Sequence, residues 1–142
     1  MKSLFFKVTK ENSFWNELSL TALRVYVGLA MALAHGLGKV PPSEKLIEGV
    51  TGMGFPVPIL FAWSAGLSEL LGGLFIAIGL FTRPSALFLG ITMAVAAFVA
   101  HAADPFQNKE LALFYLMACI VFYFRGAGAW SVDRFFAGKS KK

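Results

Sequence analysis

Gly66-Leu67-Ser68-Glu69-Leu70-Leu71-Gly72-Gly73 lies at the centre of an apolar run covering residues 57–81. Roughly a dozen apolar-dominated residues flank Glu69 on each side, and a run of about 20 such residues is long enough to span a bilayer. A carboxylate at mid-depth is costly in hydrocarbon, so it is expected to face a partner or a polar cavity rather than lipid. The rest of the chain is read as what surrounds that carboxylate.

The 142 residues are 57% hydrophobic and only 15% charged. Mean hydropathy is +0.67, too apolar for an ordinary soluble domain. Length argues for one domain over 1–142, and several long apolar runs make it a polytopic membrane protein with the lipid bilayer as its first partner. The net charge of +5 is not a nucleic-acid signal. The basic residues gather at the ends of spans and in the tail, and no basic groove interleaved with aromatics is present. The single cysteine, Cys119, sits in an apolar run, so neither an internal disulfide nor a Cys-x-x-Cys redox pair can form. It reads as a small buried hydrophobe. No cleavable leader is expected: Leu4-Phe5-Phe6 is short and is followed by Lys7, Lys10 and Glu11.

In chain order, residues 1–17 read as an interfacial arm, with Phe14 and Trp15 suited to the head-group zone. A first span is expected over about 18–37. Arg24 and His35 in it are eleven residues apart, about three turns, which places them within roughly 20° of one face together with Gly28 and Met31. Gly36-Leu37-Gly38-Lys39-Val40-Pro41-Pro42 ends it. Ser43 can cap a short helix starting at Glu44, expected to lie on the membrane surface. The second span runs over about 57–81, with Pro58 in its first turn. Ala62, Ala65, Gly66, Gly72 and Gly73 let a neighbouring helix approach closely on the Glu69 side. Thr82-Arg83-Pro84 is expected to be a tight turn, followed by a third span to about residue 103 with His101 near its end. A fourth span over about 110–127 reaches the needed length only if Glu110 and Arg125 sit in the head-group zone, and an interfacial or re-entrant helix is the alternative. Residues 128–142 form a basic tail.

Basic residues outside the spans set the orientation. Lys2, Lys7, Lys10, Arg83, Arg125, Arg134, Lys139, Lys141 and Lys142 stand on one side, against Lys39, Lys45 and Lys109 on the other. That asymmetry puts both termini in the cytoplasm. The expected fold is therefore an all-α four-helix transmembrane bundle, with His35, Lys39, His101, Asp104, Asn108, Lys109 and Glu110 at the outer face. Arg24 and Glu69 are expected to meet in the interior, as a salt bridge that either tunes a proton-accepting carboxylate or simply fixes helix register.

The two histidines, His35 and His101, are expected at the same membrane face on two helices. They could bind and deprotonate a quinol head group, or hydrogen-bond to loop groups. Haem ligation would need them opposed across a gap, and nothing in the sequence calls for that. Asn108-Lys109-Glu110 either completes an outer polar pocket or caps the fourth helix. The glycines of the second span and Gly126-x-Gly128 follow no strand, so no dinucleotide motif is implied. The candidate catalytic set is Glu69, His35 and His101. The candidate ligand-binding set is Arg24, His35, Lys39, His101, Asn108, Lys109 and Glu110, with no metal.

Several pieces recur in a fixed order. They are Leu23-Arg24; His35-Gly36-Leu37-Gly38-Lys39; Gly54-Phe55-Pro56; Glu69-Leu70-Leu71-Gly72-Gly73-Leu74; and Gly79-Leu80-Phe81-Thr82-Arg83. Asn108-Lys109-Glu110 and Gly126-x-Gly128-x-x-Ser131-x-Asp133 complete the series. With them the chain resembles the DoxX family of small four-helix membrane proteins. The resemblance implies a bacterial inner-membrane protein. Its relatives include a subunit of a quinone-linked sulfur-oxidising enzyme and parts of membrane oxidoreductase complexes, and more distant look-alikes assist membrane-receptor assembly. The expected function is a subunit of a quinone-linked oxidoreductase, with a protein partner or a second copy of itself. No fused extra-membrane domain is apparent, which argues against independent catalysis. The alternative is a non-catalytic accessory or assembly protein that docks a partner complex. A small-molecule transporter is disfavoured, as a monomer, by the lack of a repeat or broken half-helices, although a dimer could make a path.

Overall fold

The computed structural model describes residues 13–139. Within them the chain is all-α, with no strand. The first twelve residues of the expected interfacial arm and the last three of the basic tail lie outside this range. Three helices are long and apolar enough to cross a membrane: α1 (Phe14–Lys39), α3 (Pro58–Ile78) and α4 (Thr82–Ala100). About a third of each apolar window is buried, so the remaining apolar side chains point outward, as they must when the surrounding solvent is lipid.

α1 starts four residues earlier than expected. Ser13 caps it by accepting from the Asn16 amide, so Phe14 and Trp15 form its first turn rather than an arm. The short α2 (Glu44–Gly52) is capped by Ser43, as its sequence predicts, and packs against α3. Pro58 opens α3 in its first turn. The expected turn at Thr82-Arg83-Pro84 is instead the first turn of α4. The chain reverses just before it, with Gly79 and Phe81 both in the left-handed region, φ 72° and 47°. The non-glycine Phe81 is held there because its amide donates to Asp133 Oδ1 at 2.7 Å. Asp133 Oδ2 accepts from the Thr82 amide at 3.0 Å, so this one carboxylate caps α4 from a distant part of the chain. α5 (Phe106–Arg125) has 20 residues, and Lys109, Glu110 and Arg125 at its ends keep it outside the strongly apolar group. A short α6 (Val132–Lys139) ends the described chain.

Consecutive long helices are neighbours: α1 packs on α3, α3 on α4 and α4 on α5. The α1–α3 contact rests on glycine. A Cβ at Gly28 would lie 2.5 Å from the Gly73 carbonyl oxygen and 2.6 Å from the Ala77 amide nitrogen. A Cβ at Gly36 would collide with the backbone of Glu69 and Leu70. These approaches fix the antiparallel register, pairing Gly28 with Gly73 and Ala77, and Gly36 with Glu69 and Leu70. The core then fills with Val27, Met31, Ile76, Leu89, Met93, Cys119 and Phe122. Cys119 is buried among them, as a small hydrophobe would be.

Candidate functional site

The same register decides which charges meet. Gly36 stands level with Glu69, so Arg24 is twelve residues further down α1, roughly 18 Å away along the axis at about 1.5 Å per residue. The expected Arg24–Glu69 pair therefore does not form. Lys39, three residues beyond Gly36, pairs with Glu69 instead. Its Nζ donates to both carboxylate oxygens at 2.7 Å. Glu69 is 2% exposed and Lys39 36% exposed, so the lysine reaches inward from a wetter position to neutralise a buried acid.

Arg24, 1% exposed, has a different task. Its Nη1 donates to the carbonyls of Ile76 and Ala77 at 2.8 and 2.7 Å, and Nη2 donates to the Trp130 carbonyl at 2.8 Å. The first two are among the last carbonyls of α3, at the negative end of the helix dipole, where the Ile76 carbonyl also accepts from the Gly79 amide. Arg24 is a tether at the end of the molecule opposite Glu69. Glu17 reinforces that end by accepting from the Ala129 amide. Gly126-x-Gly128-x-x-Ser131-x-Asp133 is thus a clasp between the chain after α5 and the α3–α4 turn.

Around Glu69 the structure gathers most of the remaining expected residues. A cleft of about 170 Å³ is lined from α1 by Met31, His35 and Lys39, from α3 by Glu69, and from α4 and its end by Met93, Ala96 and His101. Asn108, Leu111, Ala112 and Tyr115 of α5 close it. Each of the three apolar helices loosens to a π-helical stretch here: Met31–Gly36, Ser68–Gly72 and Ala96–Ala100. Such stretches insert an extra residue per turn and re-aim the side chains, and they recur at functional sites. His35 and Glu69 sit within two of them and Ala96 opens the third.

His101 Nδ1 lies 2.7 Å from Asp104 Oδ2, and Asn108 Nδ2 donates to the same oxygen at 3.5 Å. The contact with His101, followed by that with Asn108, holds the Asp104 carboxyl below its ordinary value. The His35 ring meets Tyr115 edge to face, with centroids 5.7 Å apart. Lys109 turns away and donates to the Ala102 carbonyl at 3.1 Å. Glu110 is exposed and does not line the cleft. Glu69, His35, His101, Lys39 and Asn108 are therefore brought together, whereas Arg24, Lys109 and Glu110 are not. Among the described residues, no group of three His, Cys, Asp or Glu side chains is placed to hold a metal.

Sequence reasoning passed over Tyr115 and gave Asp104 no part in the site. Tyr115 belongs to the buried stripe Tyr115, Ala118, Cys119, Phe122 of α5, and its hydroxyl is the polar head on that stripe, a signal the spacing carries. Asp104 was placed at the outer face, but its pairing depends on the turn after Ala100. As it stands, the cleft offers an ammonium, a carboxylate, two imidazoles, an amide and a phenol around a floor of methionine and alanine. A cavity of about 150 Å³ is enough to take up a benzene, so this one has room for a single six-membered ring.

Three helices long and apolar enough to cross a bilayer, around a buried, paired carboxylate, mark a membrane protein. The chain belongs to the DoxX family, whose family model matches residues 19–102. It is similar to an "Uncharacterized protein" of Haemophilus influenzae, 35% identical over 84% of this chain and 92% of that one. It is also similar to a Bacillus subtilis protein named "Putative oxidoreductase CatD", 29% identical over 87% of this chain and 91% of the relative. No solved structure matches the chain.

Proposed function

We propose that this protein is a small multi-pass subunit of a quinone-linked oxidoreductase system in a bacterial inner membrane. In this reading α5 crosses along with the other three helices, completing a four-helix bundle with both termini cytoplasmic. The cleft then lies toward the outer face. The observation that carries the reading is the convergence of Glu69, Lys39, His35, His101 and Tyr115 on one ring-sized cleft. A quinone would supply a two-electron, two-proton carrier, with the electrons exchanged with a partner subunit. Lys39, His35 and the Tyr115 hydroxyl can donate hydrogen bonds to the carbonyls of a ring seated there. His101 is oriented through Nδ1 by Asp104 and half-exposed, so it can pass a proton between the cleft and water. Glu69 holds negative charge beside the ring, and Lys39 offsets it. The name of the Bacillus subtilis relative points the same way.

The test is gentle purification from the native membrane, solvent extraction, and mass spectrometry of what is carried along. A near-stoichiometric quinone, lost in His35→Ala, is the expected result. A folded preparation that binds no quinone at any concentration tried would sink the reading.

A second reading, an accessory protein that docks a partner complex, draws support from the Lys39–Glu69 pair itself. Both oxygens are satisfied internally, as a purely architectural pair would be. Glu69→Gln separates the two. Loss of fold with a stoichiometric protein partner retained in wild type favours docking, and an intact fold with an empty cleft favours the quinone.

A further inference from the structure

The end of the molecule opposite Glu69 carries a second concavity, of about 380 Å³. Arg83 and Pro84 line it from the first turn of α4, the Gly126–Gly128 turn from behind, and Arg134 from α6. Arg83 Nε and Nη2 lie over the Gly126 turn. Among the described residues, neither guanidinium has a hydrogen-bond or ion-pair partner. The carboxylate in the same concavity, Asp133, spends one oxygen on the Phe81 amide and the other on the Thr82 amide. The Thr82 hydroxyl is buried there without a partner. Two unpaired arginines on different elements, converging on one cleft, suit a phosphate, whose oxygens accept paired N–H donors.

The concavity also continues into an apolar trough. Phe81 and Pro84 line both it and a groove of about 450 Å³ between α3 and α4. That groove extends along α3 from Phe75 back to Ser64. Eleven helical residues cover roughly 16 Å, close to half of the roughly 30 Å hydrocarbon thickness of a bilayer. At the same end, Phe14 packs edge to face with both Trp15 and Trp130, an aromatic group of the kind that marks the head-group level. A paired-arginine cleft at head-group height, opening into an apolar trough one leaflet deep, has the form of a phospholipid rather than of a free anion.

We propose that this cleft and groove hold one anionic phospholipid, its phosphate between Arg83 and Arg134 and an acyl chain along the α3–α4 groove. The site is independent of the cleft at Glu69. Protein reconstituted in nanodiscs of equimolar phosphatidylcholine and phosphatidylglycerol is released gently, and the retained lipids are counted by native mass spectrometry. Wild type is expected to keep one phosphatidylglycerol in preference to phosphatidylcholine. Each arginine near a membrane surface contributes about fivefold, so R83Q/R134Q is expected to lose the preference by roughly 25-fold. Leu71→Trp, which fills the groove without touching either arginine, is expected to weaken retention as well. Equal retention by wild type and the double variant overturns the site, as does equal retention of phosphatidylcholine. Displacement of the lipid by inorganic phosphate overturns it in favour of a free anion. Unchanged retention in Leu71→Trp overturns the acyl seat.

Discussion

Lys39 and Glu69 illustrate how a buried charge ties the fate of one residue to another. Removing one partner of a buried ion pair strands the other, at a cost of about 3–5 kcal/mol when both are fully buried. Lys39 is partly wet, so Lys39→Met is expected near or below the lower end of that range, read as a lowered unfolding midpoint in one fixed detergent. Adding Glu69→Gln to it removes the stranded charge and should restore most of the loss. If the two changes are instead simply additive, the pair is not coupled. Asp104 offers a pH signature. Its folded-state value is lowered, so its contribution to stability is full above the ordinary value of 3.8 and fades as pH falls through the lowered one. A carbon-detected titration should find the Asp104 midpoint below 3.8 in wild type and shifted up toward 3.8 in His101→Ala. An unmoved midpoint means that the imidazole does not hold the carboxylate. Residue types alone announced Glu69, His35 and His101 as unusual. Nothing in the types could say that Lys39 rather than Arg24 would answer Glu69, because both are long cations on the same helix.

Among the helices, glycine decides the packing, since lipid is as apolar as leucine and association rests on close contact rather than on hydrophobic drive. Gly28→Ala places a methyl against the Gly73 and Ala77 backbone, which cannot yield as a side-chain tip would. The expected cost is about 1–3 kcal/mol, with α1 pushed off α3. Gly49→Ala in α2 faces open space and is expected to stabilise by about 0.5–1 kcal/mol. Unfolding both variants alongside wild type checks the contrast, and equal effects would mean that the α1–α3 approach is not tight. Helix starts were legible where the signal lies beside them, as at the Ser43 cap and the first-turn Pro58, whereas the Ser13 cap was missed because Phe14 and Trp15 read as an interfacial arm. The α4 start was misplaced because its cap, Asp133, comes from about fifty residues further along the chain. The π-helical stretches were not legible either, since they arise where three helices crowd around the cleft.

At the scale of the molecule, two ends with different chemistry are expected to face two compartments. One carries the cleft, with Lys39, His101 and Asn108; the other carries Arg83, Arg134, Trp15 and Trp130. With Cys119 replaced by Ala, cysteines placed singly at Asn108 and Gly138 should react with an impermeant maleimide from opposite sides of the membrane. Labelling of both from one side would mean that α5 does not cross, since it alone links the two positions among the long helices.

The amino-acid order by itself determined that the chain is helical and apolar, that Glu69 must find company inside, and that polar residues of distant segments gather at one end. Those properties follow from hydropathy, period and the cost of a carboxylate in hydrocarbon, all local or compositional quantities. The tertiary structure alone decided the partner of Glu69, the tethering role of Arg24, and the place of Tyr115 and Asp104 beside the histidines. These depend on register, which is set where Gly28 meets Gly73 and Gly36 meets Leu70. A shift of one helical turn moves every side chain by about 5.4 Å, more than the reach that separates a salt bridge from none.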